Sequence, residues 1–294
     1  MIYKLSQLNQ KMAYKDAVKY EGLIKDFHLG QLKLLFSEIL FMTKYAKPNN
    51  KILYVGAAEG YHIAKLADMF PHNIFDLWDP SPFKVDKRNN ITIYNKFFTN
   101  KEATKYKDAG NNILFICDIR TLEIGDYKKV HDLKKMDEIV IDDMNMQMGW
   151  LKIINPIYAY LKYRVPYVVP TMEYLTGTIY LQPYSPFSTE TRLLTSNYTK
   201  MKTYNNQDNE EKMAYFNAKI RSDVKYKKWE DIMYEYKIKN NWDNNYAFYI
   251  LDYYLRTINN ESSKKEVADL FMDIINFHKK KYGKKYDVVF EINN

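Results

Sequence analysis

In Ile52-Leu53-Tyr54-Val55-Gly56-Ala57-Ala58-Glu59-Gly60 a short apolar run stops in a turn of small residues, and helical periodicity takes over across 61–70. Strand, glycine turn and helix in that order form the opening unit of a doubly wound α/β fold, in which a ligand sits at the carboxyl edge of the sheet. A second apolar run, Ile74-Phe75-Asp76-Leu77-Trp78, ends beside Asp79, where a carboxylate can accept two hydrogen bonds from a ribose diol. A third, Ile113-Leu114-Phe115-Ile116-Cys117, ends in Asp118 and brings a second carboxylate to the same edge. Gly56, Gly60, Asp79 and Asp118 together describe a pocket for S-adenosylmethionine. A lone Gly-x-x-x-Gly is equally a plain tight turn, and the missing Gly-x-Gly-x-x-Gly argues against a nicotinamide dinucleotide.

Outward from this unit, 30–42 has helical spacing and closes at Pro48 and Asn49-Asn50. A further strand is expected at 91–94 and a helix over 137–152. Strands alternating with helices imply a mostly parallel sheet covered on both faces. Beyond Pro156 the pattern changes to strands at 158–163 and 178–181, then helices at 210–221, 246–256 and 264–282. The expected layout is a single domain over 1–294. It comprises an N-terminal arm and helix over 1–50, an α/β core over 51–200 and a mostly helical part over 201–294.

A chain of 294 residues, 46% apolar, can bury one substantial core. No apolar run approaches the roughly 20 residues of a membrane span, and the first residues lack the apolar centre of a signal peptide, so a soluble, unexported protein with no membrane partner is expected. One cysteine, Cys117, rules out an internal disulfide and a multi-cysteine zinc site, and its apolar neighbours place it in the core. No metal is expected. A net charge of +8 and 28 tyrosines favour a polyanionic, stackable partner such as RNA. Ordinary solubility and an AT-rich genome would give the same composition. The basic run at 279–285 reads as a solvated helix end.

Four charged residues interrupt apolar or aromatic surroundings: Lys33, Asp118, Lys162 and Glu190. A charge in such a place is unusual unless it is paired or functional. Taken singly, Lys33 could lie on the wet face of its helix and Glu190 could pair with Arg192. Taken together, they suit methyl transfer to a ribose 2′-hydroxyl, a poor nucleophile that needs positioning and a base. A lysine can be that base where burial and a second ammonium disfavour its charged form, with carboxylates fixing the geometry.

These residues lie in segments that resemble a known family. The segments are Gly30-Gln31-Leu32-Lys33-Leu34-Leu35, Tyr54-Val55-Gly56-Ala57-Ala58-Glu59-Gly60-Tyr61-His62-Ile63, Asp118-Ile119-Arg120, Asn155-Pro156, Leu161-Lys162-Tyr163-Arg164-Val165-Pro166, Leu181-Gln182-Pro183 and Glu190-Thr191-Arg192-Leu193-Leu194. The family is the poxvirus-type cap-specific mRNA 2′-O-methyltransferase that doubles as the regulatory subunit of a poly(A) polymerase. The similarity runs from about Tyr14 to the last helices.

The resemblance implies a Rossmann-like S-adenosylmethionine-dependent methyltransferase fold, with a mixed, mostly parallel sheet and helical additions at both ends. It implies Lys162 as the base, with Lys33, Asp118 and Glu190 completing the catalytic set. S-adenosyl-L-methionine would be held by Gln31, Tyr54, Gly56, Gly60, His62, Asp79 and Asp118, with Phe97, Phe98 and Ile119 near the adenine. The cap would stack on Tyr167 and on Tyr14, with Tyr20 a competitor, and Glu210 would read the guanine edge. Glu210 could equally be a plain acid in a first helical turn.

Departures from the family occur at Glu59, where it has Pro; at Ser81, where it has Arg; at Val169, where it has a carboxylate; and at Phe187, where it has Tyr. The implied partners are capped mRNA and a viral poly(A) polymerase catalytic subunit. The implied source is a large DNA virus, working in the host cytoplasm at the viral factory and carried in the virion. An RNA-binding processivity subunit and a ribose methyltransferase for uncapped RNA are the alternative functions.

Overall fold

The computed structural model describes residues 1–21, 29–121, 132–221 and 225–290. Helix α1 (Gly30–Tyr45) leads into β1 (Lys51–Val55), α2 (Ile63–Met69), β2 (Ile74–Trp78), β3 (Ile91–Tyr94), β4 (Ile113–Cys117), α3 (Leu133–Ile154) and β5 (Tyr158–Arg164). Then follow β6 (Thr171–Leu175), β7 (Thr178–Tyr180), β8 (Glu190–Thr195), β9 (Met201–Asn205), α4 (Asn206–Tyr215), α5 (Trp242–Asn259) and α6 (Lys264–Tyr282). Seven strands form one sheet in the order β3-β2-β1-β4-β5-β8-β7. The pairs from β3 through β5 are parallel, and β8 and β7 turn antiparallel. Strand order reverses between β1 and β4, so the ligand crevice of such a sheet falls at their carboxyl ends.

Strand parity explains how the sequence fills this frame, because alternate side chains point to opposite faces. Ile52, Tyr54, Leu114, Ile116, Tyr160 and Leu194 pack on the face covered by α1, α2, α5 and α6. Leu53, Val55, Phe115, Cys117, Leu161 and Tyr163 pack on the other, under α3 and the separate β6–β9 ribbon. Asp118, Lys162, Glu190 and Arg192 share the parity of the first set. They therefore face α1, whose buried Lys33 and Glu38 look back at them.

Helix ends follow local capping chemistry. Asp132 caps α3 by accepting from Lys134 N, and left-handed Asn155 before Pro156 ends it. Ser263 and Glu266 form a capping box at the start of α6.

Three strands were not foreseen. In β8 every side chain is buried, but Glu190 and Arg192 stand where alternation would expect apolar residues, which hides the period of two. The ribbon strands β6 and β9 are short, with only part of each buried. Helices α3, α4 and α5 begin four residues earlier than the periodicity placed them, each at a polar N-cap. The N-terminal arm is docked: Leu5 and Leu8 are buried and Lys4 bridges to Tyr180 on the edge strand β7. Its remainder at 22–28 lies outside the described residues. Among the described residues, no helix is long and apolar enough to cross a membrane, and no group of His, Cys, Asp and Glu is placed to hold a metal ion.

Candidate functional site

Beyond the carboxyl end of β4, four elements deliver charges to one point. Asp118 follows β4, Lys162 lies in β5, Glu190 opens β8 and Lys33 sits in the first turn of α1. Lys162 Nζ is 3.2 Å from Asp118 Oδ1 and 3.6 Å from Glu190 Oε2. Lys33 Nζ pairs with the other oxygen, Glu190 Oε1. Lys33, Lys162 and Glu190 are 4%, 8% and 6% exposed, so Lys33 is not on a wet helix face.

Arg192 does not pair with Glu190. Its guanidinium donates to Asp118 Oδ1 at 2.8 Å and to the carbonyl of Cys117 at 3.0 Å. Arg120 reaches Glu190 Oε2 at 3.6 Å from the solvent side. The sequence offers Arg192 only as a partner of Glu190 and gives Arg120 no part; Asp118, which Arg192 holds, lies 74 residues away.

Two carboxylates thus face four cations. Burial favours the neutral acid at Asp118, but Arg192, Lys162 and Lys33 outweigh it and hold the carboxyl below the usual range. Glu190 is likewise pushed up by burial and held well below its ordinary value by Lys162, Lys33, Arg192 and Arg120. At Lys33 burial dominates and lowers the ammonium, against the pull of Glu190 and Asp118 and with help from Lys162 and Arg192.

The residues expected around a cofactor divide into two groups. Gly56 has φ +79°, and a Cβ there would lie 2.6 Å from Ile119 N and 2.7 Å from the carbonyl carbon of Asp118. The glycine is therefore required by the close passage of the β4 exit rather than by a ligand alone. Gly60 has φ +72° and would meet the carbonyl of Ala57. Asp79 is half-buried and accepts from Ala58 N at 3.1 Å and Ser81 N at 2.8 Å, one bond to each oxygen, which leaves each with further acceptor capacity.

Tyr54 and His62 are shut in instead. The Tyr54 hydroxyl donates to Glu38 Oε1 at 2.6 Å, and His62 lies between Glu38 Oε2 at 2.9 Å and Gln31 Oε1 at 2.8 Å. Gln31 Oε1 also accepts from His62 N, so Nε2 is the donor side of that amide. Glu38, buried behind this network, was not singled out from the sequence. Phe98 is a core residue between Trp78 and Trp150, with ring centroids at 5.2 and 5.1 Å, whereas Phe97 is 72% exposed and Ile119 half-buried. Asp79, Gln31, Phe97 and Ile119 thus keep the acceptors, donor and apolar faces that fit a ribose diol, an amino-acid end and an adenine.

A cavity of about 380 Å³ opens nearby, and Tyr14, Tyr167, Val169 and Glu210 are among the residues that line it. Tyr20 is not. It lies under Lys219, whose Nζ is 4.0 Å from the ring centroid and 2.7 Å from the hydroxyl. Tyr14 meets Phe187 edge-on at 5.8 Å. Burial, then the charges of Glu211 and Asp137, push the Glu210 carboxyl above its usual value. Arg164 connects the two regions: it lines a small cavity beside Lys162 and holds its guanidinium 4.8 Å from the Tyr167 ring centroid.

The family model described as poly A polymerase regulatory subunit matches residues 1–280. Among curated proteins, the chain is 28% identical over 273 residues to the cap-specific mRNA (nucleoside-2′-O-)-methyltransferase of fowlpox virus, strain NVSL, covering 84% of this chain and 83% of that one. It is 25% identical over 304 residues to the protein of the same name from myxoma virus, strain Lausanne, covering 93% and 83%. A solved structure titled "Structure of an Antibiotic Related Methyltransferase" overlays at a TM-score of 0.23 and 12% identity, over 60% of this chain and 94% of that chain.

Proposed function

The chain belongs to the poly A polymerase regulatory subunit family, and from that membership and the geometry of the charged group we propose that it methylates the ribose 2′-hydroxyl of the first transcribed nucleotide of capped mRNA. The observation that carries this reading is Lys162 Nζ held between Asp118 and Glu190, with Lys33 on the opposite oxygen of Glu190. S-adenosylmethionine, when bound, supplies an electrophilic methyl group on a sulfonium. Lys162 Nζ, in its unprotonated form, would take the 2′-hydroxyl proton as that oxygen accepts the methyl group and the sulfur keeps the bonding pair.

Asp118 and Glu190 orient Lys162, and Arg192 holds Asp118 in place from the sheet. Gln31, Asp79, Phe97 and Ile119 bind the cofactor. Tyr14 and Tyr167 stack on the cationic N7-methylguanine while Glu210 accepts from its N–H edge. Incubation with capped RNA and methyl-labelled S-adenosylmethionine tests the reading. Label should appear on the first ribose and be lost with Lys162→Ala; a folded, cofactor-binding protein that transfers nothing would refute it.

The family description favours a second activity, support of a poly(A) polymerase catalytic subunit. Co-purification with such a polymerase, and tail extension that is indifferent to Lys162→Ala, would show that activity to be separate from methyl transfer.

A further inference from the structure

Tyr167, Val168 and Val169 turn three successive backbone N–H groups toward one buried side chain. Asp137, near the start of α3 and fully shielded from solvent, accepts from Tyr167 N through Oδ1 at 2.6 Å. Its Oδ2 accepts from Val168 N at 2.7 Å and Val169 N at 3.0 Å. A buried carboxylate is costly unless its lone pairs are used, and charge-assisted bonds of this kind are the strong ones. Here they converge on a single loop.

The same loop is gripped from its other side. Asn206 Nδ2 donates to the carbonyl of Val169 at 2.8 Å, and Asn206 N donates to that of Pro170 at 2.9 Å. Asn206 is the first residue of α4, the helix that carries Glu210. The wall bearing Tyr167 is therefore fixed between α3 and α4.

We infer that Asp137 is the positioning residue of the cavity: it holds the backbone that presents Tyr167 to the cavity it shares with Tyr14, and it keeps a negative charge behind the wall that meets a cationic base. The inference rests on the cap-binding reading above. The same charge bears on Glu210 in the cavity lining, whose carboxyl is pushed up by burial first, then by Glu211 and Asp137. A neutral guanine gains little from such a field, whereas an N7-methylated, positively charged one gains directly.

Asparagine at this position keeps the shape, loses the charge and turns an amide N–H₂ toward a backbone N–H. Titration of the full chain with 7-methylguanosine triphosphate should show Asp137→Asn binding roughly tenfold or more weakly, the scale for losing a charge-assisted bond. Its affinity for S-adenosylhomocysteine and its kcat at saturating capped RNA should hold, so the loss appears in KM. Because part of the action of Asp137 runs through Tyr167, the double variant with Tyr167→Ala should lose less than the sum of the two single losses.

Amide exchange in the free protein reads the anchor without any ligand: the N–H groups of Tyr167, Val168 and Val169 should be protected, and exposed by the substitution. Should Asp137→Asn not fold, Asp137→Glu keeps the charge and shifts it by one methylene, so it should weaken binding while retaining preference for the methylated over the unmethylated nucleotide. Unchanged affinity in the variants, additive losses in the double variant, or unprotected amides in the wild type would overturn the inference. A wild type with protected amides that does not bind the methylated nucleotide would instead overturn the cap-binding reading, and the role of Asp137 in recognition with it.

Discussion

The charged group and the aromatic cavity are fixed in opposite ways. At Lys33, Asp118, Lys162 and Glu190 the functional atoms hold one another: each carboxylate meets at least two cations, and burial leaves few other partners. In the cavity, Tyr14, Tyr167 and Glu210 are half-buried and open, and their positions depend on backbone held from behind by Asp137 and Asn206. A mutually paired group fails as a unit when one member goes, whereas a braced wall fails by degrees.

The largest expected effect breaks the first region. Lys162→Ala should lower single-turnover methyl transfer by about 10²–10⁴-fold, the usual weight of a positioned acid–base group, while binding of S-adenosylhomocysteine and of 7-methylguanosine triphosphate is unchanged in titration.

Next comes stability. Glu190→Ala leaves Lys33, Lys162 and Arg120 without their shared carboxylate and should cost about 3–5 kcal/mol in denaturant unfolding, as when one partner of a buried pair is removed. Because the folded-state pKa values of Glu190 and Asp118 lie below their ordinary values of 4.5 and 3.8, their contribution is fully present above those values and is lost as pH falls through the lower, folded ones. Wild-type stability should therefore fall steeply on the acid side, and Glu190→Gln should flatten that limb.

The second region should respond more mildly. Tyr167→Ala should weaken 7-methylguanosine triphosphate by about 1–3 kcal/mol, the range for one base–aromatic stack, with methyl transfer at saturating RNA little changed. On the proposed cap-binding reading Glu210 accepts from guanine N–H groups as a carboxylate, and burial, then Glu211 and Asp137, raise its pKa from the ordinary 4.5. Cap affinity should thus begin to fall at a higher pH than for an exposed glutamate as the solution is acidified, and Glu210→Gln should abolish that slope. Smallest of all, Tyr20→Ala should leave cap affinity within error, since its ring is taken by Lys219; a loss equal to that of Tyr14→Ala would return Tyr20 to the cavity.

The same contrast governs what could be read from the sequence. Strands β1, β2 and β4 are apolar runs closed by turn residues and are legible directly, and the glycine turn and the two terminal carboxylates mark their carboxyl ends as one edge. Strand β8 escaped because its charges face inward. The four central charges were visible, since each interrupts an apolar neighbourhood. Their arginine partners were not, nor was Glu38, which meets His62 across 24 residues, nor Asp137, which meets Tyr167 across 30. In α3 the polar residues Asp137, Asp143 and Gln147 fall on the buried side, at spacings that ordinarily mark a solvated face, and only the folded chain shows what they hold.

The most direct test of both regions acting together is one assay: wild type and Lys162→Ala, each given the same transcript with and without an N7-methylguanosine cap, with the labelled nucleotide mapped by nuclease digestion. The account predicts wild-type label on the ribose next to the cap, little on the uncapped transcript, and almost none from Lys162→Ala. Equal labelling of capped and uncapped RNA, or undiminished transfer by Lys162→Ala, would contradict it.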